Sequence, residues 1–259
     1  MIRNKMKYVF LPLAWILGVT ITCSAQTTLY FPQVADGLQA GNIGWITVIA
    51  ITNAAAPGTP AASGTITLTQ DNGSAFNVAF YEDTNPELRV GSGNTVPFQV
   101  AGGQTKAFSS HGDVPLNSGF ATVTSNLPIV GAAAFIEFSG PFIVIGEAGV
   151  PAATPLLRQV ILVAKNHLTG VAIVNPGAST ATVTFQLLDQ NGVAAFPVIS
   201  KTIAGMNHTA FFVGQLFPSV SMGFYGTMRI VSDTPLLATA LIFEISGGNF
   251  ATFPVFPLP

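Results

Sequence analysis

Gly119–Gly140 reads GFATVTSNLPIVGAAAFIEFSG, and Gly226–Gly247 reads GTMRIVSDTPLLATALIFEISG. The two align without a gap. Ser125 falls on Ser232, Asn126 on Asp233, Pro128 on Pro235, Glu137 on Glu244, and Ser139-Gly140 on Ser246-Gly247. Each reads as a strand, a tight turn and a longer apolar strand, so the chain is predicted to contain one β-module twice.

Other pairs extend the repeat outward. Asn53 aligns with Asn175, each after an apolar strand. Gln70-Asp71-Asn72-Gly73 aligns with Asp189-Gln190-Asn191-Gly192, and Ala101–Phe108 with Ala204–Phe211. Both Asn-Gly pairs follow a strand and predict a two-residue type I′ hairpin, because Asn and Gly tolerate positive φ. The offset between copies then shortens. That places extra residues in the first copy, predicted as an inserted loop at about 81–95 (YEDTNPELRVGSGNT). Gln215-Leu216-Phe217-Pro218 adds residues to the second copy and suits one helical turn before the proline.

Period-two alternation supports the fold class. In Thr65-Ile66-Thr67-Leu68-Thr69 the apolar residues share one face and the threonines the other, as they do in Thr182–Leu187. Val, Ile, Thr and Phe runs bounded by Gly, Pro, Asn and Asp recur throughout. The expectation is an all-β chain of two tandem immunoglobulin-like antiparallel β-sandwiches from an internal duplication. Copy 1 spans 26–150 and copy 2 spans 157–259, with a Pro-containing linker at 151–156. Ile129–Phe138 and Leu236–Ile245 are apolar on both faces, so each is expected to be covered on both, by the other copy or by a partner.

Residues 1–25 read as a signal peptide. Arg3, Lys5 and Lys7 precede the apolar run Tyr8–Thr22, which is short for a membrane span, and Cys23-Ser24-Ala25 supplies a cleavage site. A lipoprotein reading would acylate Cys23, but Thr22 and Thr20 stand where a small residue and Leu are usual. Cleavage near Ala25 is the reading taken, giving a secreted, periplasmic or cell-surface protein. Cys23 is the single cysteine of the 259 residues, so disulfides contribute nothing to the exported part. The nine basic residues fall to six once the leader is removed, against 11 acidic ones. No basic patch is left for phosphates, so nucleic acid is not expected as a partner, and no stable membrane span is expected. A low charged fraction (8%) beside 49% hydrophobic residues suits β-sheets with neutral polar faces, and leaves self-association open.

Leu29-Tyr30-Phe31-Pro32-Gln33-Val34-Ala35-Asp36-Gly37 with Gly44-Trp45 opens the exported part, and Glu147–Pro151, Leu216-Phe217-Pro218 and Phe250–Val255 punctuate it. This pattern resembles a duplicated immunoglobulin-like β-sandwich module of uncharacterised secreted proteins from environmental bacteria. The resemblance covers nearly the whole exported chain. It implies a sandwich fold, often at the C-terminal end of larger exported proteins, and carries no activity.

Candidate chemistry is sparse. Ser109, Ser110, His111 and Asp113 are too close in sequence for a nucleophilic triad and read as a polar turn. His167 and His208 read as exposed singletons. Glu82, Asp83 and Glu87 form a weak oxygen-donor set for a metal such as calcium, without EF-hand spacing. Glu137 and Glu244 occupy equivalent places in separate copies, so they read as structural, as do Asn72, Gly73, Asn191 and Gly192. Trp45 and Tyr81 are the candidates for a ligand platform. No cofactor is expected. The sequence therefore points to an exported, non-catalytic structural or interaction protein, adhesion-like, whose partner is a protein or polysaccharide at the cell surface. A carbohydrate- or other ligand-binding module is the alternative, and a hydrolase has least support. An outer-membrane barrel fits the alternation but not the interior prolines or Pro257-Leu258-Pro259.

Overall fold

The computed structural model describes residues 26–40, 42–82, 85–112, 114–140, 143–245 and 249–259, with backbone alone for 85–88. Residues 1–25 with Cys23, Asp83, Asp113 and the Glu87 side chain lie outside the described residues. Strands make up nearly all of the regular structure. In the first half they are β1 (Thr27–Gln39), β2 (Ile43–Thr52), β3 (Ala62–Gln70), β4 (Val78–Glu82), β5 (Asn85–Gly93), β6 (Thr95–Val100), β7 (Thr105–Ser110), β8 (Asn117–Ser125), β9 (Val130–Ser139) and β10 (Ile143–Pro151). In the second half they are β11 (Leu156–Val163), β12 (His167–Val174), β13 (Ala181–Asp189), β14 (Ile199–Ile203), β15 (His208–Phe212), β16 (Gly226–Glu244), β17 (Phe250–Phe253) and β18 (Phe256–Pro257). A single helical turn, α1 (Val213–Leu216), sits just ahead of Phe217-Pro218. No helix of the described residues is long and apolar enough to cross a membrane.

These strands form two antiparallel sheets of ten and eight strands. In the first half, one ladder runs β1-β8-β3-β6 and the other β7-β2-β9-β10, with β4 added on β7 and β5 on β4. The end of β1, Gly37–Gln39, crosses to β2 and joins the ladders. In the second half, one ladder runs β11-β16-β13-β14 and the other β15-β12-β16-β17, with β18 on β11. Apart from β4 and β5, which have no equivalent among the described residues of the second half, the two schemes coincide strand for strand, and the register coincides too. Thr52 pairs with Val130 as Val174 pairs with Leu237, and Trp45 with Glu137 as His167 with Glu244.

Alternation builds each core. Ile66 and Leu68 of β3, and Val183, Phe185 and Leu187 of β13, turn inward, while Thr65, Thr67, Thr182 and Thr184 lie on the other face and are more exposed; Thr69 is buried. Ile66 and Val123 from one ladder of the first half meet Ile49, Ile51 and Phe108 from the other. Ile161, Val183, Phe185 and Met228 meet Val171, Ile173 and Ala240 in the second half. Burying each such side chain is worth roughly 1.5–3 kcal/mol, so two cores of this kind need no disulfide.

The aligned polar residues have equivalent bonds. Asn53 and Asn175 are buried, 1% and 0% exposed. The Asn53 amide donates to Pro60 O and Val100 O, both 3.2 Å, and its oxygen accepts from Ala55 N. Asn175 donates to Ser179 O (2.8 Å) and Ile203 O (3.0 Å), and accepts from Gly177 N. Each thus fastens the end of one ladder to the edge strand of the other. Asn126 and Asp233 likewise accept the backbone N–H of Ser63 and Thr182, both at 2.8 Å. Gly119 and Gly226 open both stretches because a Cβ there would lie 1.9 Å from Thr69 O and 2.0 Å from Leu188 O.

Three expectations change in detail. The Asn-Gly turns are not type I′: among the described residues the non-glycines with positive φ are Asn42, Asn166 and Met206, and only Gly73 (φ 81°) and Gly192 (φ 78°) of the turns are left-handed. Gly73 N bonds Gln70 O and Gly192 N bonds Asp189 O, a turn ended by a left-handed glycine, as in a G1 bulge. Asn72 Oδ1 holds Ser74 N instead, and Asp189 Oδ1 holds the N–H groups of Asn191 and Val193. The segment at 81–95 is largely strand, because β4 and β5 extend the sheet at β7. The second quoted stretch is one unbroken 19-residue strand, β16, where the first is split into β8 and β9.

Candidate functional site

The aromatic residues gather where the two halves meet. Trp45 of β2 lies 5.5 Å from Phe135 of β9 and 5.6 Å from Phe250 of β17. Phe250 stacks on Phe135 at 5.3 Å with an interplanar angle of 13°, and Phe243 of β16 tilts against it at 5.2 Å. Phe250 and Leu241 are 7% and 6% exposed, closing the first half's core from the second half. A second patch packs Phe120, Tyr30 and Ala153 of the first half against Val174 and Leu237 of the second. Of the two apolar strands, β16 lies in this joint, where Leu236 to Leu241 are buried without a break. The expected cover on both faces is not found for β9, which reaches the joint only through Phe135, alternates, and begins with an exposed Val130. The expected linker is tied down as well: Ala153 N donates to Tyr30 O at 2.8 Å.

A polar clasp flanks the aromatic joint. The tip of the β3–β4 turn reaches β15, where His208 N bonds Asp71 O at 3.0 Å and His208 Nδ1 lies 2.7 Å from Asp71 Oδ1. His208 Nε2 faces Gln33 Oε1 at 3.2 Å, and the Ser118 hydroxyl donates to both Asp71 carboxylate oxygens. With its amide turned so that nitrogen donates, Asn207 reaches Asn72 O and Gly205 O, each at 3.2 Å. His208 is 3% exposed, so the exposed-singleton reading is corrected: the ring is buried because Asp71 and Gln33 supply its polar partners. Ser, Asp and His come together here, but wired unlike a nucleophilic triad. Ser118 bonds the carboxylate, and the second ring nitrogen faces an amide oxygen instead of a hydroxyl.

Burial raises the affinity of the Asp71 carboxyl for its proton. The hydrogen bond and charge of His208, with the Ser118 hydroxyl, outweigh it and hold the group below the ordinary carboxylate range. A lowered folded-state value stabilises the fold above the ordinary value and is lost as pH falls through the lowered one. Urea midpoints taken downward from about pH 5 are therefore expected to fall less steeply in Asp71→Asn than in the wild type. Equal slopes would refute the clasp's part in acid stability.

Between joint and clasp lies a cleft of roughly 360 Å³, with Trp45, Phe135, Phe212 and Phe243 on its walls and Gln33, Gln39 and Gln215 as polar groups. Trp45 is partly buried in it. Tyr81 does not line it; that ring sits on β4 against His111 at 5.3 Å. The two ligand candidates are therefore not brought to one site. Glu82 pairs with Lys106 at 3.1 Å. Among the described residues no three His, Cys, Asp or Glu side chains are grouped to hold a metal. Glu137 has its carboxyl raised by burial, and Glu244 is exposed beside Asn249 (3.4 Å), each on its own half. Ser109 and Ser110 end β7, and Ser110 Oγ accepts the Thr47 N–H at 2.9 Å, a structural bond.

Asp71 and His208 were missed by sequence reasoning, yet a signal existed. They align with Gln190 and Thr105, so the two halves differ in sequence where they join. No family model matches the chain, and a search of characterised proteins finds no match.

Proposed function

We propose that the chain is an exported, non-catalytic structural or interaction protein of the cell surface, built from two repeats of one immunoglobulin-like β-sandwich. The coincidence of both strand orders, with the same buried Asn at the same place, carries this reading. The central pairs β3-β8 and β2-β7 correspond to the C-F and B-E pairs of the immunoglobulin fold. The outer strands differ: the first strand lies beside the sixth, and the seventh beside the second, in both halves. Asp71, His208 and Ser118, the side chains whose types could serve chemistry, are engaged in fastening the halves. What is left to present to a partner is sheet face and strand edge. Fractionation with protease shaving of intact cells tests the reading. A surface-exposed protein whose Asp71→Asn variant is exported and displayed to the wild-type extent supports it. A cytoplasmic protein, or turnover of a substrate lost in that variant, overturns it.

The cleft favours a second reading, a module for a carbohydrate or another small ligand with an apolar face, because aromatic walls and three amide side chains converge there. A glycan array with wild type and Gln39→Ala, a substitution at an exposed residue, separates the two readings. Binding that weakens in the variant supports the module; no binding leaves the structural reading standing.

A further inference from the structure

We infer that the molecule associates with further copies of itself, head to tail, through the same contact that joins its halves. This rests on reading the halves as repeats of one module. Within the chain, Phe120, Tyr30 and Ala153 of the first half cover Val174 and Leu237 of the second. Each of these has a counterpart by register. Val160 pairs with Phe256 where Tyr30 bridges Ala153, Thr227 stands for Phe120, and Thr52-Val130 stands for Val174-Leu237.

The counterparts have no such cover. Leu237 is 0% exposed but Val130 is 57%, and Phe256, at the place of the half-buried Ala153, is 53% exposed. Thr239 is buried, while its equivalent Ala132 on the outer face of β9 is exposed. Each molecule therefore carries an uncovered copy of both sides of its own joint: the β2–β9 face on the first half and the β11–β18 edge on the second. An apolar recess of roughly 400 Å³ formed by Pro60, Leu127, Pro128 and Ile129 adjoins Val130, which gives the Phe256 ring of a neighbour a place to enter. Glu147, at the position of Phe250, is brought opposite His167, at the position of Trp45, so the rim gains an acid–imidazole pair. Because the two surfaces differ, the contact is heterologous and does not close on itself at two copies.

Sedimentation velocity of the purified protein over a concentration series tests this. The weight-average mass is expected to climb past the dimer without a plateau. Val130→Glu and Phe256→Glu, both at exposed positions, are each expected to abolish the rise while leaving the circular dichroism spectrum and melting curve unchanged. An equimolar mixture of the two variants is expected to form a 1:1 dimer, since each keeps one intact end. A monomer at every concentration, a closed dimer that survives Phe256→Glu, or a mixture that stays monomeric overturns the proposal. A monomeric result with surface exposure intact would still leave the cell-surface reading in place.

Discussion

Asn175→Ala is expected to destabilise the protein by about 2–4 kcal/mol, as much as many core truncations. The loss exceeds that of one hydrogen bond because three bonds, to Ser179 O, Ile203 O and Gly177 N, go together. Ser179 and Gly177 are exposed and can turn to water, but Ile203 is buried, and an unsatisfied buried group costs about 1–3 kcal/mol. For a chain of this size the melting temperature should fall by roughly 5–15 °C. Asn53→Ala should follow the same pattern with a smaller shift, since its two donated bonds are longer, at 3.2 Å. Thermal unfolding followed by circular dichroism reads both. A shift of less than about 2 °C for Asn175→Ala would mean that the amide is not what fastens the ladders.

Phe250→Ala is expected to cost about 3–5 kcal/mol, the range for removing a buried aromatic ring. It has a second signature that a simple cavity would lack. The ring belongs to the second half but closes the core of the first, lying against Trp45 and Phe135. Trp45 is the tryptophan of the described residues, the other being Trp15 among residues 1–25. Its emission should shift to the red and become more accessible to iodide in the folded variant. Destabilisation with unchanged Trp45 emission would place the damage within the second half alone.

Much of this fold was legible because strand alternation is a local property. Ile66 and Leu68, or Val183, Phe185 and Leu187, declare their inward face from period two alone. The buried Asn pair was legible as an alignment, though not as a clamp, since its bonds reach Val100 and Ile203, far along the chain. The turn type was misjudged because Asn-Gly serves both a two-residue turn and one with an added bulge, and the flanking bonds decide between them. The joint was only half legible. The two-sided apolarity of Leu236–Ile245 announced a cover without naming it, and His208 looked exposed because its partners, Asp71 and Gln33, belong to the other half. Trp45 looked like a platform for sugar because a lone tryptophan in a polar-faced sheet protein invites that reading. Here two phenylalanines pack against it.

The position of Phe250 also sets an order of events. The first half's core includes Leu241 and Phe250, so it stays open on one side until the chain has been made almost to residue 259. Contacts so distant along the chain form late and slowly. A nascent first half would therefore wait, nearly complete but unsealed, with Trp45 and Phe135 uncovered. Such an intermediate is prone to pair with the wrong neighbour while it waits. The strands carrying Leu241 and Phe250 thus act as a latch: the first half is made early and is sealed when these later strands follow.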